Sequence, residues 1–359
     1  MNIFFRTDSS KKIGLGHVMR CLTLAEELRN DDITIEFITR PHPGNLDDYI
    51  ISKGFKVRSL SSPSNEIQLQ QDLIGYELLL GVNQLIDADE TIKVISGDRI
   101  DYLIIDHYAL DYNWEKKLRP YTVKIMVIDG LANRRHDCDL LLDQNYILDK
   151  ARYDKLVTSS TLKLLGPKYA LLRKDFLINR KKCKNNNEVN RVFVFFGGTD
   201  ADNLTGISLK ALSQSGLRHL FVDVVIGSSN PHRKELKIEI GKNPNAKLYI
   251  QVDNIAKLMV RADVALGAGG TTTWERMALG LPSMVVTLAE NQINVTRDLD
   301  KDGYLKWLGN VDEVDVYTIY NSLLGAVKDP SQLRVQSCRC QSLVKGTGAR
   351  VVATLLQSD

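Results

Sequence analysis

The stretch Ile3-Phe-Phe-Arg-Thr-Asp-Ser-Ser-Lys-Lys-Ile-Gly-Leu-Gly-His17-Val-Met-Arg20-Cys21 decides how the chain is read. Ile3 to Arg6 opens it with a short apolar run of β character. Gly14 and Gly16 then permit a tight turn and a close backbone approach to a ligand. Val18, Cys21, Leu22, Ala25 and Leu28 recur at helical spacing, so a helix follows and packs one face on a sheet. The order strand, glycine turn, helix puts His17 and Arg20 on the first helical turn, at the edge of that sheet. Unpaired backbone N–H groups there are positive; they suit a phosphate and keep a nearby imidazole neutral, which makes His17 a base. The plainer alternative is a helix-start histidine with a local hydrogen bond, and the flanking glycines weigh against it. His42, His136, His219 and His232 have no comparable setting.

Working outward, 359 residues exceed one comfortable core and imply two α/β domains of roughly 150 to 200 residues each. Apolar β-type runs at 34–39, 103–106, 123–128 and 140–143 alternate with helical patterns, which is the rhythm of a parallel sheet with crossover helices. A second alternation has strands near 192–196, 220–226, 247–250, 264–266 and 283–287. Between them the apolar pattern gives way to basic residues and asparagine. The expected organisation is a first Rossmann-like domain over 1–178, a linker at 179–190, a second over 191–310, and a helical tail over 311–359. Such a tail often returns to the first domain in two-domain nucleotide-sugar enzymes.

Composition narrows the function. The net charge of +3 is spread along the chain, and its one dense basic run, Arg180-Lys181-Lys182-Cys183-Lys184, lacks interleaved aromatics. It reads as a solvated linker rather than a nucleic-acid site. The five cysteines show neither paired nor metal-ligand spacing and are expected as reduced thiols, with no metal bound. The chain opens directly on a strand with no charged-then-apolar leader, and no apolar run approaches the ~18 to 20 residues that span a bilayer. A cytoplasmic protein with no membrane partner is the expectation.

In open α/β sheets ligands bind beyond the carboxyl ends of the strands, so the residues just after each apolar run carry the chemistry. In the first half these are Gly14 to His17, Asp106-His107-Tyr108 and Asp129-Gly130. In the second they are Gly197-Gly198-Thr-Asp200, Val252-Asp-Asn254, Gly267-Ala-Gly-Gly-Thr271-Thr-Thr-Trp-Glu275 and Glu290-Asn291-Gln292. The threonine loop offers backbone and hydroxyl donors to a diphosphate but has neither a P-loop lysine nor dinucleotide glycine spacing. A nucleotide sugar is the ligand that fits, with Glu275 accepting from the ribose diol. The alternative is that Thr271 caps the helix and Glu275 complements its dipole. Gly197 and Gly198 are a weaker phosphate turn, and Val252 lies where backbone groups could read a uracil edge. Asp106 and His107 are open between a cleft-facing role and a structural one.

Taken together, Phe4 to Ser10, Gly14 to Arg20, Leu103 to Tyr108, Gly166 to Arg173, Gly197 to Asp200 and Glu290 to Gln292 resemble the UDP-2,4-diacetamido-2,4,6-trideoxy-β-L-altropyranose hydrolases of bacterial pseudaminic acid biosynthesis. The likeness runs in order over roughly the first 300 residues. It implies a GT-B type fold, two Rossmann-like doubly wound domains facing across a cleft, and a metal-independent, cofactor-free enzyme that transfers the sugar to water. Carried over by motif, the base matches His17, the asparagine of the Asn-Gln pair Asn291, and the tyrosine of the Asp-His-Tyr cluster Tyr108. Gly14, Gly16, Arg20, Asp106, His107, Gly197, Gly198, Val252, Thr271, Glu275 and Gln292 are the expected substrate contacts. The resemblance also favours a monomer. The threonine loop is closer to the general UDP-sugar transferase pattern, so an inverting glycosyltransferase using a UDP-amino sugar is the nearest alternative, and a noncatalytic nucleotide-sugar-binding module the next.

Overall fold

The computed structural model describes residues 1–10, 12–63, 73, 75–180 and 188–358; most of the basic run and of the expected linker therefore lies outside the described residues. The chain forms two compact units, one of Met1–Leu171 with Thr347–Asp359, the other of Leu172–Gly346.

The first unit is built on a parallel sheet of seven strands in the order β3-β2-β1-β4-β5-β6-β7. These are β1 (Asn2–Thr7), β2 (Thr34–Thr39), β3 (Lys56–Ser59), β4 (Ile100–Asp106), β5 (Thr122–Ile128), β6 (Leu140–Asp143) and β7 (Leu162–Leu165). The second carries six parallel strands in the order β10-β9-β8-β11-β12-β13. They are β8 (Arg191–Phe195), β9 (Phe221–Ile226), β10 (Ala246–Ile250), β11 (Val264–Ala268), β12 (Ser283–Thr287) and β13 (Lys306–Asn310). In each sheet the winding reverses next to the first strand, between β1 and β4 and between β8 and β11. Ligands of doubly wound sheets bind at such a reversal.

The sequence pattern exposes the central strands and misses β3, β7 and β13, which all lie at sheet edges. The reason is burial. Val264–Ala268 and Ser283–Thr287 are buried at every position, whereas Lys56–Ser59 and Lys306–Asn310 contain no buried residue. An edge strand covered on fewer sides needs no continuous apolar run.

The helix Gly16–Leu28 buries Val18, Cys21, Leu22, Leu24, Ala25 and Leu28 in the first unit's core. The chain's last helix, Gly348–Ser358, packs against it and adds Ala349, Val352, Ala353 and Leu356 to the same cluster. In the other direction the chain enters the second unit at Leu172. The helix Lys174–Asn179 inserts Phe176 among Phe193, Ala256 and Met259 of that core, ahead of the change in composition. No helix among the described residues is long and apolar enough to cross a membrane. Cys21, Cys138 and Cys340 are free and buried, but Cys338 is disulfide-bonded, which corrects the expectation of reduced thiols throughout.

The C-terminal helix is seated backbone against backbone. A Cβ on Gly348 would stand 2.4 Å from the Ala170 carbonyl oxygen and 2.5 Å from the Tyr169 carbonyl carbon. Gly348→Ala is therefore expected to push the helix off the first unit and cost about 1–3 kcal/mol. A lowered urea midpoint with an unchanged slope is the readout.

Candidate functional site

In the first unit the parallel register sets Thr7 of β1 beside Asp106 of β4. The helix Gly16–Leu28 starts over this pair. His17 Nδ1 lies 2.6 Å from Asp106 Oδ1, while Arg20 donates from Nε to Asp106 Oδ2 and from a terminal nitrogen to Oδ1, each at 2.5 Å. Burial would raise the Asp106 carboxyl, but the charges and hydrogen bonds of Arg20 and His17 outweigh it and hold the group well below the usual carboxylate range. An ionised carboxylate only accepts, so the close nitrogen of His17 carries a proton. In the neutral ring that leaves the lone pair on Nε2, which has no hydrogen-bond partner among the described residues. Tyr108 stands edge-on to the His17 ring at 4.6 Å between centroids, and Tyr76, which the sequence did not single out, contacts Tyr108 at 5.4 Å. Gly14 holds φ +85° with open space where a side chain would stand, and Gly16 is the first helical residue after an uncapped Leu15.

His107, by contrast, is turned into the protein. Its Nδ1 accepts from the Ala109 amide at 3.0 Å, and its Nε2 faces Asp8 Oδ2 at 3.6 Å. Burial lowers it to about 3 despite Asp8, so the ring is neutral and fixes the loop that carries Tyr108. Beneath it lies a buried ion network absent from the sequence reading. Arg6 makes paired hydrogen bonds to Asp8 and Asp87, and Asp87 also accepts from Arg40 and the Trp114 indole at 2.8 and 3.0 Å. This network ties the ends of β1 and β2 to the helix Gln84–Ile95.

In the second unit, the loops after β8 and β11 flank the winding reversal. Gly197 holds φ +100°, and the Gly198 carbonyl accepts from the Gly227 amide at 3.0 Å. Asp200 is buried and accepts from the Leu204 and Thr205 amides, so it is a helix cap. Val252 packs on the core beside Asn254, which caps the next helix. In the threonine loop Gly267 and Gly269 are spaces filled by the protein: a Cβ would meet Arg276 at 2.5 Å in the first and Thr296 Oγ1 at 2.8 Å in the second. Gly270 alone of the three is open. Thr271 is exposed and makes no capping bond. Gln292 turns back to accept from the Leu288 amide at 3.0 Å, behind Gly269, and Asn291 is exposed on the first turn of Glu290–Lys301.

Glu275 is half-buried and has no hydrogen-bond partner among the described residues. Burial raises its carboxyl to about 7; Arg173 and Arg276 pull it down only in part, and Asp175 opposes them. An unpaired acceptor of this kind suits a ligand's hydroxyl groups. Within the first unit the structure thus gathers His17, Arg20, Asp106 and Tyr108, and within the second Thr271, Glu275 and Gln292 around one loop.

Residues 191–341 match the glycosyltransferase family 28 C-terminal domain. Over 305 residues the chain is 30% identical to the UDP-2,4-diacetamido-2,4,6-trideoxy-β-L-altropyranose hydrolase of Campylobacter jejuni, covering 85% of this chain and 98% of that one. It is 26% identical to the spore coat polysaccharide biosynthesis protein SpsG of Bacillus subtilis, covering 99% and 98%. Among solved structures it is similar to the calicheamicin glycosyltransferase CalG4, with a TM-score of 0.68 at 14% identity over 99% and 97% of the two chains. The fold is accordingly of the GT-B glycosyltransferase type.

The folded Glu275 binds its proton more tightly than the unfolded chain does. Stability therefore falls as pH rises from about 4.5 to about 7, and the cost is complete above that window. Glu275→Gln should stabilise the unliganded protein at pH 8 on the order of 1 kcal/mol, its partial exposure allowed for, and by less at pH 5. Urea unfolding of both proteins at the two pH values measures the difference.

Proposed function

The chain belongs to the family of the UDP-2,4-diacetamido-2,4,6-trideoxy-β-L-altropyranose hydrolases, and we propose that it cleaves this UDP-linked sugar to UDP and free sugar, with water as the acceptor. The observation that carries the reading is the His17–Asp106 pair, a buried histidine whose Nδ1–H is held by an ionised carboxylate. That hydrogen bond fixes ring orientation and tautomer and leaves Nε2 as the basic atom. Water attacks C1 as Nε2 takes its proton; the bond from C1 to the diphosphate oxygen breaks, its electrons leave with UDP, and the configuration at C1 inverts. UDP leaves readily, so the protein's task at that end is to meet charge with donors, from the Gly197-Gly198 turn and the open backbone at Gly270 and Thr271. Glu275 accepts from the ribose diol, Val252 lies by the uracil, and Asn291 and Tyr108 orient the sugar or the water. In this reading Arg20 and His107 support from behind, Arg20 by clamping Asp106 and His107 by fixing the Tyr108 loop.

The proposal extends to an enzyme that needs no metal and works as a monomer in the cytoplasm, in the making of pseudaminic acid. One observation favours a second reading: the match of the second unit to a glycosyltransferase domain. An inverting transferase would use the same base on a sugar hydroxyl instead of water.

His17→Ala should lower kcat by about 10²–10⁴ while UDP binding is retained; equal kcat would remove His17 from the mechanism. With UDP-2,4-diacetamido-2,4,6-trideoxy-β-L-altropyranose and no added acceptor, proton NMR should show the inverted anomer of the free sugar as first product. Release only on adding a sugar acceptor would establish the transferase instead. Activity is expected to be unchanged in EDTA, and a strong loss there would refute metal independence.

A further inference from the structure

The loop after β11 is braced from inside by an arginine to which the mechanism above gives no task. Arg276 is buried to 1% exposure. Its terminal nitrogens donate to the Ala268 carbonyl at 2.9 Å, Thr273 Oγ1 at 3.1 Å and Thr272 Oγ1 at 3.3 Å, and its Nε has no acceptor. Arg6, Arg20 and Arg40, the other deeply buried arginines of the site regions, all lie against aspartates. Arg276 has no ion pair among the described residues.

That arrangement is costly. Taking a guanidinium out of water without a carboxylate costs several kcal/mol, and burial indeed pulls this one down to about 10. The chain nevertheless makes room for it. Gly267 has no side chain where a Cβ would stand 2.5 Å from the guanidinium, so the charge lies directly under the strand end. A neutral amide could brace the same loop oxygens at lower cost. The positive charge itself is what the fold retains, held at Ala268, Thr272 and Thr273 on either side of Gly270, where a Cβ would meet nothing within 4 Å.

We propose that Arg276 is the counter-charge of the UDP diphosphate, acting from beneath the 268–273 loop without touching the ligand. The inference rests on the reading of this loop as the diphosphate hold. In the poorly screened interior a unit charge acts across the thickness of a loop. It favours each added phosphate charge and the charge that gathers on UDP as it leaves. Arg276 is thus a positioning residue, and its signature is a dependence on phosphate count that a purely structural brace would not produce.

Calorimetric titration of the intact protein with uridine, UMP and UDP tests this. In wild type, affinity should rise with each phosphate. In Arg276→Met the advantage of UDP over uridine should shrink roughly tenfold or more, with uridine affinity unchanged, and Arg276→Lys should restore most of it. An equal UDP-to-uridine ratio in wild type and Arg276→Met overturns the inference while leaving the proposed function intact. Failure of wild type to bind UDP removes both. Should Arg276→Met not fold, the same ratio in wild type at 0.05 M and 0.5 M NaCl decides. A buried cation keeps the UDP advantage at high salt, and its collapse there would assign the effect to surface charges.

Discussion

Asp106 is the group around which the buried His17–Arg20 cluster of the first unit is arranged. It ends a buried strand, and its two oxygens bind a histidine and an arginine from the start of a helix that follows a different strand. Burial alone would raise this carboxyl, and the charges and hydrogen bonds of Arg20 and His17 outweigh it. His17 and Arg20 in turn could not keep their orientation without the carboxylate. The constraint is mutual, and it ties the helix start to the end of β4. Removing Arg20 or Asp106 leaves the charge of the other buried and uncompensated, which is far more damaging than losing a surface pair.

The second unit handles charge in the opposite manner. Its loop region carries a carboxyl and a guanidinium on adjacent residues, Glu275 and Arg276, that point to different surroundings and do not pair. The first is left half-buried without a partner and the second buried with only neutral acceptors. Buried charges are paired in the first unit, whereas in the second the loop proposed to hold the diphosphate carries charges without an ionic partner among the described residues.

Much of this was legible in the sequence, for identifiable reasons. Central strands such as Val264–Ala268 and Ser283–Thr287 announce themselves because burial at every position demands a largely apolar run. His17 stood out because glycines and a helix start surround it. The edge strand β10 is legible at 247–250, but the edge strands β3, β7 and β13 did not stand out, for they are half-exposed and mixed in composition. Nor did the pairing of His17 with Asp106, which are 89 residues apart, since only the register of β1 against β4 brings them together. Arg6 looked like the end of an apolar run, and nothing local marks it as the centre of a buried network reaching Asp87, 81 residues away. Nothing local in the sequence marks Arg276 either. Its meaning depends on Gly267, nine places earlier, which reads as a ligand glycine until the guanidinium is seen filling the space.

The first unit is discontinuous in the chain. Residues after Thr347 supply Val352 and Leu356 to the core that Val18 and Leu22 begin, and the whole of the second unit is threaded between them. On the ribosome, the second unit is therefore a contiguous segment able to fold when its own last strand and helices emerge. The first must wait, with the outer face of its first helix uncovered, until the helix Gly348–Ser358 has been made. Proteins expose such surfaces at risk of aggregation, and contacts that close late over long sequence separations are slow to form. Order of synthesis and order of completion are thus reversed in this molecule: the unit translated first is finished last.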